Sequence, residues 1–470
     1  MSTSTDPADA PATAADPALA TVDREALAEP VGGSTALPPV ERMVETLVSL
    51  TGRLDNGGEH RHGQQEMARA VHEAMAGRFH LIARAGTGTG KSLAYLVPVA
   101  LSKRTTVIAT ATKALQDQLA GKDLPFLQRH LGISWAVLKG RANYVCVQRL
   151  SEVAADRQLA LTGLDSSRID DEVDAIVEWS ATTRTGDRAE LSVEPSAAAW
   201  NTVSVGSEEC PGATKCPSGD DCFAEAAKAK AAASDIIVVN THLYGIHLAS
   251  DGILPDHDIV VIDEAHQLED IISATAGVEL SSARFGDVAR NARGIIAGDN
   301  VADAIEDAGR ALDDALEAAG DGRIEVRDDG DVQRSITAGR EAANELLAAL
   351  RAVPSDAGLD VTTRKERAQQ SATTLIADID RAAEITDDDV AYIAGPPGRR
   401  SLRIAPIDVG STLRDTLWEK PTAILTSATV PDVLPDQLGL GPDQFRFVDV
   451  GSPFDYDHAA LLYCAVDLPV

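Results

Sequence analysis

Residues 79–92 read FHLIARAGTGTGKS, and this stretch decides the fold class of the chain. A short apolar run over residues 79–83 is followed by a turn of small residues and then by a segment with helical character over residues 91–100. Small residues let successive backbone N–H groups turn inward around phosphate oxygens, and the N-terminus of a helix attracts the same negative charge. The stretch therefore predicts a strand, a phosphate-binding loop and a helix, in that order.

The residue types of this loop suit a nucleotide and a magnesium ion. The lysine would contact the β- and γ-phosphates, and the serine hydroxyl would hold Mg²⁺. The first position is alanine, where the general pattern has glycine. A glycine-rich turn that matches by chance is the alternative, and the strand and helix around the loop disfavour it. The predicted binding residues are Ala85, Gly86, Thr87, Gly88, Thr89, Gly90, Lys91 and Ser92.

Further short apolar runs occur along the chain, and each is nearly continuous rather than alternating. Continuous runs are typical of parallel strands that are buried on both faces. Helical segments lie between several of them, which favours βα units. We therefore predict an α/β fold in which a parallel sheet carries the phosphate loop. Besides residues 79–83, the predicted strands are 105–109, 135–138, 235–240, 258–263 and 422–426.

Length and charge exclude several classes of protein. The chain of 470 residues is long enough for about three domains. It has 42 Lys and Arg against 73 Asp and Glu, a formal charge of −31, which excludes a generally basic nucleic-acid coat protein but not a local basic groove. No apolar run approaches about 18 residues, and no basic segment followed by an apolar run begins the chain. We therefore expect a cytoplasmic protein without a membrane span or secretory signal.

An acidic element, Asp263-Glu264-Ala265-His266, closes the apolar run at residues 258–263. Ligands of open α/β sheets bind at the carboxyl ends of the strands. Asp263 would hold Mg²⁺, directly or through water, and Glu264 would polarise an attacking water as general base. Taken alone, these residues could equally form a solvated acidic turn. Beside a phosphate loop, nucleotide hydrolysis is the stronger interpretation.

Four of the five cysteines lie within one insertion between predicted strands. Cys146 stands alone, and Cys210, Cys216 and Cys222 follow with five residues between neighbours. Four thiolates can ligate a [4Fe–4S] cluster or a structural zinc ion. The gaps are wider than the usual zinc spacing, but the residues alone leave iron, zinc and unrelated buried thiols open. Cys464 lies in an apolar run and is predicted to be a core residue.

Together, the phosphate loop and the Asp-Glu-Ala-His element resemble the nucleotide site of superfamily 2 helicases. Further segments resemble the iron–sulfur branch of that superfamily, the DinG- and XPD-like DNA helicases, and bacterial DinG in particular. These segments are Arg61-His-Gly-Gln64, Thr110-Ala-Thr112, residues 139–146, Asn240-Thr-His242 and Thr426-Ser427-Ala-Thr429. The resemblance covers the chain from about residue 40 onward.

The resemblance implies a role for each residue of the nucleotide site, with ATP and Mg²⁺ as cofactors. Arg61 and Gln64 would recognise adenine. His266 would sense the γ-phosphate and relay its presence to the residues that couple hydrolysis to strand movement. The implied catalytic residues are Lys91, Asp263, Glu264 and His266, and the implied coupling residues are Thr426, Ser427 and Thr429.

The resemblance also implies a [4Fe–4S] cluster on the four clustered cysteines and a path for DNA. Residues 103–149 carry eight Lys or Arg against two Asp, an excess that suits a basic groove along a single strand. Trp135 and Tyr144 could stack bases in that groove or could pack in the core. The cluster ligands would be Cys146, Cys210, Cys216 and Cys222, and the DNA contacts would be Thr110, Thr112, Lys139, Arg141, Asn240 and His242.

The implied architecture is a RecA-like domain interrupted by an iron–sulfur domain and a helical arch domain. The implied activity is ATP-driven 5′-to-3′ translocation on single-stranded or forked DNA, in repair or replication and without a membrane. The predicted segments are a disordered tail at 1–37, the RecA-like domain at 38–140, 233–269 and 397–470, the iron–sulfur domain at 141–232 and the arch at 270–396.

One departure from the family pattern concerns a second RecA-like domain, whose motifs we do not find in the sequence. Such a domain supplies an arginine that can be worth ~10³–10⁵ in rate. We therefore expect a fragment, a split gene completed by another chain, or a chain that has lost helicase activity. We expect these 470 residues to bind ATP weakly and to hydrolyse it poorly. Two alternatives to a helicase remain open: an ATP- and DNA-binding module whose cluster senses redox state, and a zinc-stabilised structural adaptor.

Overall fold

The computed structural model describes residues 37–54, 58–59, 61–159, 168–250, 252–326, 330–354, 359–454, 458 and 461. The tail predicted at 1–37 lies outside the described residues except for Leu37, and so does Cys464. Within the described part, no helix is both long and apolar enough to cross a membrane.

Eleven strands are described, and seven of them form one parallel sheet in the order β11-β1-β10-β5-β2-β4-β3. The other four form a second sheet in the order β6-β9-β8-β7, with antiparallel pairs. The strands are β1 (His80–Arg84), β2 (Thr106–Thr110), β3 (Trp135–Val137), β4 (Ile236–Asn240), β5 (Ile259–Asp263), β6 (Val278–Ser281), β7 (Gly322–Arg323), β8 (Asp389–Ala394), β9 (Ser401–Pro406), β10 (Thr422–Ser427) and β11 (Phe445–Asp449).

The predicted α/β fold with a parallel sheet is confirmed, and the six predicted strands begin and end within one residue of the observed ones. Their side chains alternate between two cores. Leu81, Ile108 and Val261 pack on one face of the sheet, and Ile82 and Val260 pack on the other. Both faces are therefore covered, which is why the runs are continuously apolar. Strand β11 was not predicted, because it is an edge strand with half-exposed and charged residues.

Helices cover both faces of the parallel sheet and fill the two insertions. Helices α1 to α3 lie on the face with Leu81, and α10, α11 and α16 lie on the face with Ile82. The helices are α1 (Val40–Thr51), α2 (His62–Gly77), α3 (Lys91–Ser102), α4 (Lys113–Gln118), α5 (Leu124–Leu131), α6 (Val147–Leu159), α7 (Arg168–Ser180), α8 (Ala197–Val203), α9 (Phe223–Ala232), α10 (Thr241–Ser250), α11 (Leu268–Ala276), α12 (Ser282–Ala292), α13 (Asn300–Ala319), α14 (Asp331–Ala352), α15 (Leu359–Ala383), α16 (Val409–Leu413) and α17 (Leu434–Gln437).

The second insertion combines helices α12 to α15 with the antiparallel sheet. Phe285 is fully buried at its centre, where α13 and α14 approach closely because each has a glycine opposite the ring. A Cβ atom at Gly309 or at Gly339 would lie 2.8 Å from Phe285 atoms. Strand β9 extends this unit beyond residue 396, because it pairs with β8 and β6 on either side.

The first insertion has a small core of its own under helices α6 to α8. Trp200 is buried against Val173 and Ile176, and its indole Nε1 donates a hydrogen bond to the carbonyl oxygen of Ala142 at 2.7 Å. The cysteine-bearing segment 204–222 contains no helix or strand and leads into α9. This segment is therefore positioned mainly by its ends and by what its side chains bind.

Candidate functional site

The phosphate loop connects β1 to the N-terminus of α3. Gly88 and Gly90 have φ values of +81° and +85°, a left-handed backbone that favours glycine. The loop is tightened from inside by Thr89, whose buried hydroxyl donates to the carbonyl oxygen of Gly86 at 2.6 Å. A side chain at Gly90 would collide with the amide of Gln64. The predicted strand, loop and helix are present in the predicted order.

The two residues implied to recognise adenine contact this loop directly. The side-chain Nε2 of Gln64 donates to the carbonyl oxygen of Gly90 at 3.1 Å, and its Oε1 accepts from the Thr51 hydroxyl at 3.4 Å. Arg61 donates from its guanidinium to the carbonyl oxygen of Gly88. Both side chains therefore lie at the nucleotide face, and Gln64 is buried while doing so.

Lys91 lies between the two acidic residues of the second motif. Its Nζ is 3.3 Å from Glu264 Oε1 and 3.8 Å from Asp263 Oδ1. Burial raises the pKa of Asp263, and the neighbouring Lys91 charge opposes that rise. A lysine and two carboxylates at the carboxyl end of β5 can together bind phosphates and a divalent cation.

Sequence reasoning missed Tyr95, whose side chain forms a hydrogen bond with Asp263. The Tyr95 hydroxyl donates to Asp263 Oδ2 at 3.3 Å from a fully buried position on α3. Burial raises the pKa of Tyr95 well above its ordinary value, so the phenol stays a donor. Its place one turn after Lys91 on α3 is a helical spacing that the sequence does show.

A chain of hydrogen bonds joins the acidic motif to the end of β10. The Ser427 hydroxyl donates to Glu264 Oε2 at 3.2 Å, and His266 Nδ1 lies 2.8 Å from the Ser427 Oγ atom. The backbone N–H of Thr429 also donates to Ser427 Oγ, at 3.3 Å. Since the Ser427 proton goes to Glu264, His266 is the donor in its contact. Glu264 itself has φ +56°, a strained conformation for a side-chain-bearing residue at a functional motif.

Thr426, the remaining coupling residue, lies beside Asp263 in the sheet register. It is fully buried, and its Oγ1 has no hydrogen-bond partner within the described residues. Thr429 is exposed at the turn that follows β10. Ser427 therefore contacts the acidic motif, whereas Thr426 precedes Ser427 and Thr429 follows it along the chain.

The four clustered cysteines line one pocket in the first insertion: Cys146, Cys210, Cys216 and Cys222. All four are free thiols. Two of them directly precede a helix, Cys146 before α6 and Cys222 before α9. Burial raises the pKa of Cys146 to about 11, against backbone N–H groups of α6 that lower it. Burial also raises the pKa of Cys216.

The donor set of this pocket suits a metal centre bound through thiolates. Four thiols around one pocket are the ligands of a [4Fe–4S] cluster or of structural zinc. Among the described residues, no three His, Cys, Asp or Glu side chains are grouped closely enough to hold a single ion. Arg141 adds positive charge, with its guanidinium 3.7 Å from Cys222 Sγ. The residues present therefore fit a thiolate-bound group.

A polar cleft of about 340 Å³ lies between the carboxyl ends of β2 and β4 and the first insertion. Three of the residues implied to contact DNA line it: Thr112, Lys139 and Asn240. The others are elsewhere. Thr110 is buried at the end of β2, and His242 is exposed on the first turn of α10. Arg141 lines the cysteine pocket instead and forms an ion pair with Glu225.

The structure decides between stacking and core packing for Tyr144, one of the two aromatic residues near this cleft. Tyr144 is only 5% exposed, and its hydroxyl accepts a hydrogen bond from the backbone N–H of Lys139 at 3.1 Å. Base stacking on Tyr144 is therefore wrong, because both ring faces are covered. Trp135 is half-buried and donates from Nε1 to Gln128 at 3.2 Å.

Comparison with known proteins places these sites in a wider context. Residues 63–161 match the DEAD/DEAH box helicase family. The chain is 36% identical over 455 residues to the ATP-dependent helicase DinG of Mycobacterium tuberculosis, and 32% identical over 442 residues to the ATP-dependent DNA helicase YoaA of Escherichia coli. Each alignment covers 88% of this chain and 67% of the relative, so the chain spans about two thirds of their length.

The fold is similar to that of a solved XPD helicase. The TM-score is 0.50 at 14% sequence identity, over 83% of this chain and 62% of the other. At that identity the likeness concerns the fold alone.

Proposed function

This chain belongs to the family of the ATP-dependent helicases DinG and YoaA, and we propose that it couples ATP hydrolysis to 5′-to-3′ movement along single-stranded DNA. The observation that carries the proposal is the hydrogen-bonded chain from Glu264 through Ser427 to His266. These hydrogen bonds link Glu264, which lies next to the phosphate loop, to the end of the central strand β10. Such a connection can pass a change at the nucleotide to the rest of the sheet.

We propose that phosphate binding rearranges the hydrogen bonds among Glu264, Ser427 and His266. Lys91 Nζ pairs with Glu264 Oε1 at 3.3 Å. Incoming β- and γ-phosphates would attract Lys91 more strongly than one carboxylate does. Glu264 would then be free to accept a proton from the attacking water. A bound magnesium ion would neutralise charge on the phosphates, and Ser92 and Asp263 would hold it.

DNA is proposed to run along the polar cleft. Thr112 and Asn240 sit at the ends of adjacent strands, and Lys139 faces them from the next segment. A hydroxyl, an amide and an ammonium are groups that bind a sugar–phosphate backbone without reading its sequence. This suits movement along single-stranded and forked DNA, in repair or replication, where the motor must accept every base.

A [4Fe–4S] cluster is proposed for the cysteine pocket. A cube carries its four ligands on separate iron atoms, so the sulfurs stand farther apart than the donors of one zinc ion. The four thiols share one pocket, and the gaps between Cys210, Cys216 and Cys222 are wider than the usual zinc spacing, which supports a cluster over zinc. When bound, the cluster would crosslink Cys146 to segment 204–222. Absorbance near ~400 nm together with iron content tests this, since zinc is colourless.

Steady-state ATP hydrolysis by this 470-residue chain, prepared anaerobically, tests the proposal. The rate is measured with and without single-stranded DNA, with Lys91→Ala as the inactive reference. Turnover that DNA stimulates and Lys91→Ala abolishes is the expected result. ATP and DNA binding without any turnover would instead favour a redox-sensing binding module.

A further inference from the structure

Two of the three cations that line the polar cleft are already paired with carboxylates. Lys139 Nζ lies 2.6 Å from Asp187 Oδ2, and the two side chains are only 17% and 20% exposed. Arg188 lies 3.4 Å from Glu194 in the same cleft. The cleft that we propose binds DNA therefore contains carboxylates that are already paired with two of its cationic side chains.

Asp187 is held in place by the backbone of the first insertion. Its Oδ1 accepts from the backbone N–H of Ala189 at 3.0 Å, which leaves Oδ2 for Lys139. The preceding residue, Gly186, has φ +64°, and a side chain there would collide with Phe223. The Gly186 carbonyl oxygen also accepts from the backbone N–H of Val145 at 2.9 Å. The carboxylate is thus presented to Lys139 by a fixed turn.

Other donors of the cleft are left without an acceptor. Gln116 is 8% exposed, lines the cleft and has no hydrogen-bond partner for its Nε2 among the described residues. Lys113 is exposed at the same edge and forms no ion pair within the described part of the chain. A backbone phosphate in the cleft would give Lys113 an acceptor.

We propose that Asp187 occupies the position of a DNA phosphate on Lys139 and competes with the strand for that lysine. The inference rests on the proposed binding of single-stranded DNA in this cleft. Each time the strand advances, a departing phosphate is replaced by a carboxylate already in position, so Lys139 is never left unpaired. Asp187 is thereby a positioning residue that weakens DNA binding and eases release.

The competition has a distinctive signature in the salt dependence of binding. When a lysine exchanges a carboxylate for a phosphate, the freed carboxylate remains beside the strand and attracts a cation, which offsets the counterion that the phosphate releases. A cation without such a partner contributes about −0.7 to the slope of log K against log salt for a single strand. Removing the Asp187 charge should therefore make the slope steeper by about 0.7 and tighten binding about fivefold at ~50 mM salt.

The experiment measures binding of the full chain to a fluorescent oligothymidine of about 20 nucleotides from ~50 to ~200 mM salt. Asp187→Asn is the test variant, because its amide oxygen can still accept from Ala189 N, and Asp187→Ser is used if that variant does not fold. Glu190→Gln is the matched control, since Glu190 lies in the same turn, is exposed and does not line the cleft. Lys139→Met is made alone and together with Asp187→Asn.

In Asp187→Asn we expect tighter DNA binding and a steeper slope of log K against log salt. Glu190→Gln should change neither. In the Lys139→Met background, Asp187→Asn should give no gain in DNA affinity. Equal slopes in wild type and Asp187→Asn would overturn the inference while DNA binding stands. A gain that persists without Lys139 would overturn it as well. A wild-type chain that does not bind the oligonucleotide would overturn the proposed function and the inference together.

Discussion

Arg367 and Glu152 form a bidentate ion pair between the two insertions. Arg367 Nη1 lies 2.9 Å from Glu152 Oε1, and Nη2 lies 2.8 Å from Oε2. Their side chains are 6% and 4% exposed. Arg367 belongs to α15 of the helical insertion, and Glu152 belongs to α6, directly after the cysteine pocket. Gln148 extends the contact, because it donates to Glu152 at 3.4 Å and accepts from Ser218 at 3.1 Å.

Removing one partner of this pair should destabilise the chain strongly. Arg367→Met leaves the Glu152 carboxylate buried with Arg149 Nη1, 3.4 Å away, as its remaining charged partner among the described residues, and breaking such a buried pair costs up to about 3–5 kcal/mol. We expect a clearly lower midpoint of thermal unfolding, followed by circular dichroism. Arg340→Met is the matched control, because its pair with Asp380 at 2.8 Å is largely exposed and should be worth less than about 1 kcal/mol. Replacing both partners, as Glu152→Leu with Arg367→Met, should restore much of the midpoint; no recovery would contradict a simple charge effect.

Ser427→Ala should uncouple nucleotide binding from turnover. The substitution removes the one oxygen that Glu264 and His266 share, while Lys91 and the phosphate loop are untouched. We expect DNA-stimulated ATP hydrolysis to fall at least about tenfold, with ATP affinity changed less than about twofold. Ser411→Ala, on an exposed position of α16, is the control and should retain full turnover. An equal loss of affinity and rate in Ser427→Ala would mean that Ser427 only supports the fold of the nucleotide site.

Cys210→Ser should remove the metal centre and leave the nucleotide site intact. Cys210 lines the pocket from segment 204–222, which has no helix or strand to hold it. We expect loss of bound iron and of absorbance near ~400 nm, with ATP binding retained. Duplex separation by a helicase that contains this chain should fall more than ATP binding does. Cys464→Ser is the control and should keep its iron; loss of ATP binding in Cys210→Ser would show that the two sites do not fold independently.

The sheet could be predicted from the sequence because burial on both faces leaves a continuous apolar run at each central strand. Strands β6 to β9 lack that signal. They pair antiparallel in a small sheet, and β8 alternates half-buried residues with buried ones. Strand β6 joins this sheet by pairing with β9, a segment more than a hundred residues away, as Leu280 with Leu402, and no local pattern reports that pairing.

The nucleotide motifs were visible because their chemistry is local, whereas their partners are not. Gly86 to Ser92 form one contiguous loop, but Ser427 reaches Glu264 from 163 residues away. Asp187 was also missed, since it lies outside residues 103–149, the stretch whose charge we counted. Only the fold reveals that its carboxylate lies against Lys139. Charge counted along the sequence therefore overestimated how much free positive charge the cleft offers.

The stability of the sheet should fall in mild acid because of His80, a buried residue in β1. Its Nδ1 accepts from the backbone N–H of Ala423 at 3.2 Å, so Nε2 carries the proton and donates to the Trp418 carbonyl oxygen at 3.1 Å. Burial lowers the pKa of His80 below its ordinary value of 6.5, against the hydrogen bond to Trp418 that raises it. Below pH 6.5 the unfolded chain therefore binds a proton at His80 more readily than the folded chain does. The contribution of neutral His80 to the free energy of unfolding is present above pH 6.5 and is lost as the pH falls below it.

Unfolding in urea at a series of pH values between about 5 and 8 measures the effect. His80→Gln keeps a polar side chain but has no ring that titrates. We expect its urea midpoint to be lower than that of the wild type at pH 8 and to change less as the pH falls. His62→Gln is the control, because the His62 side chain is 90% exposed and should leave the wild-type pH dependence unchanged. If His80→Gln loses stability in acid as steeply as wild type, the acid sensitivity belongs to other groups, and the neutral ring of His80 is not what holds β1 to β10.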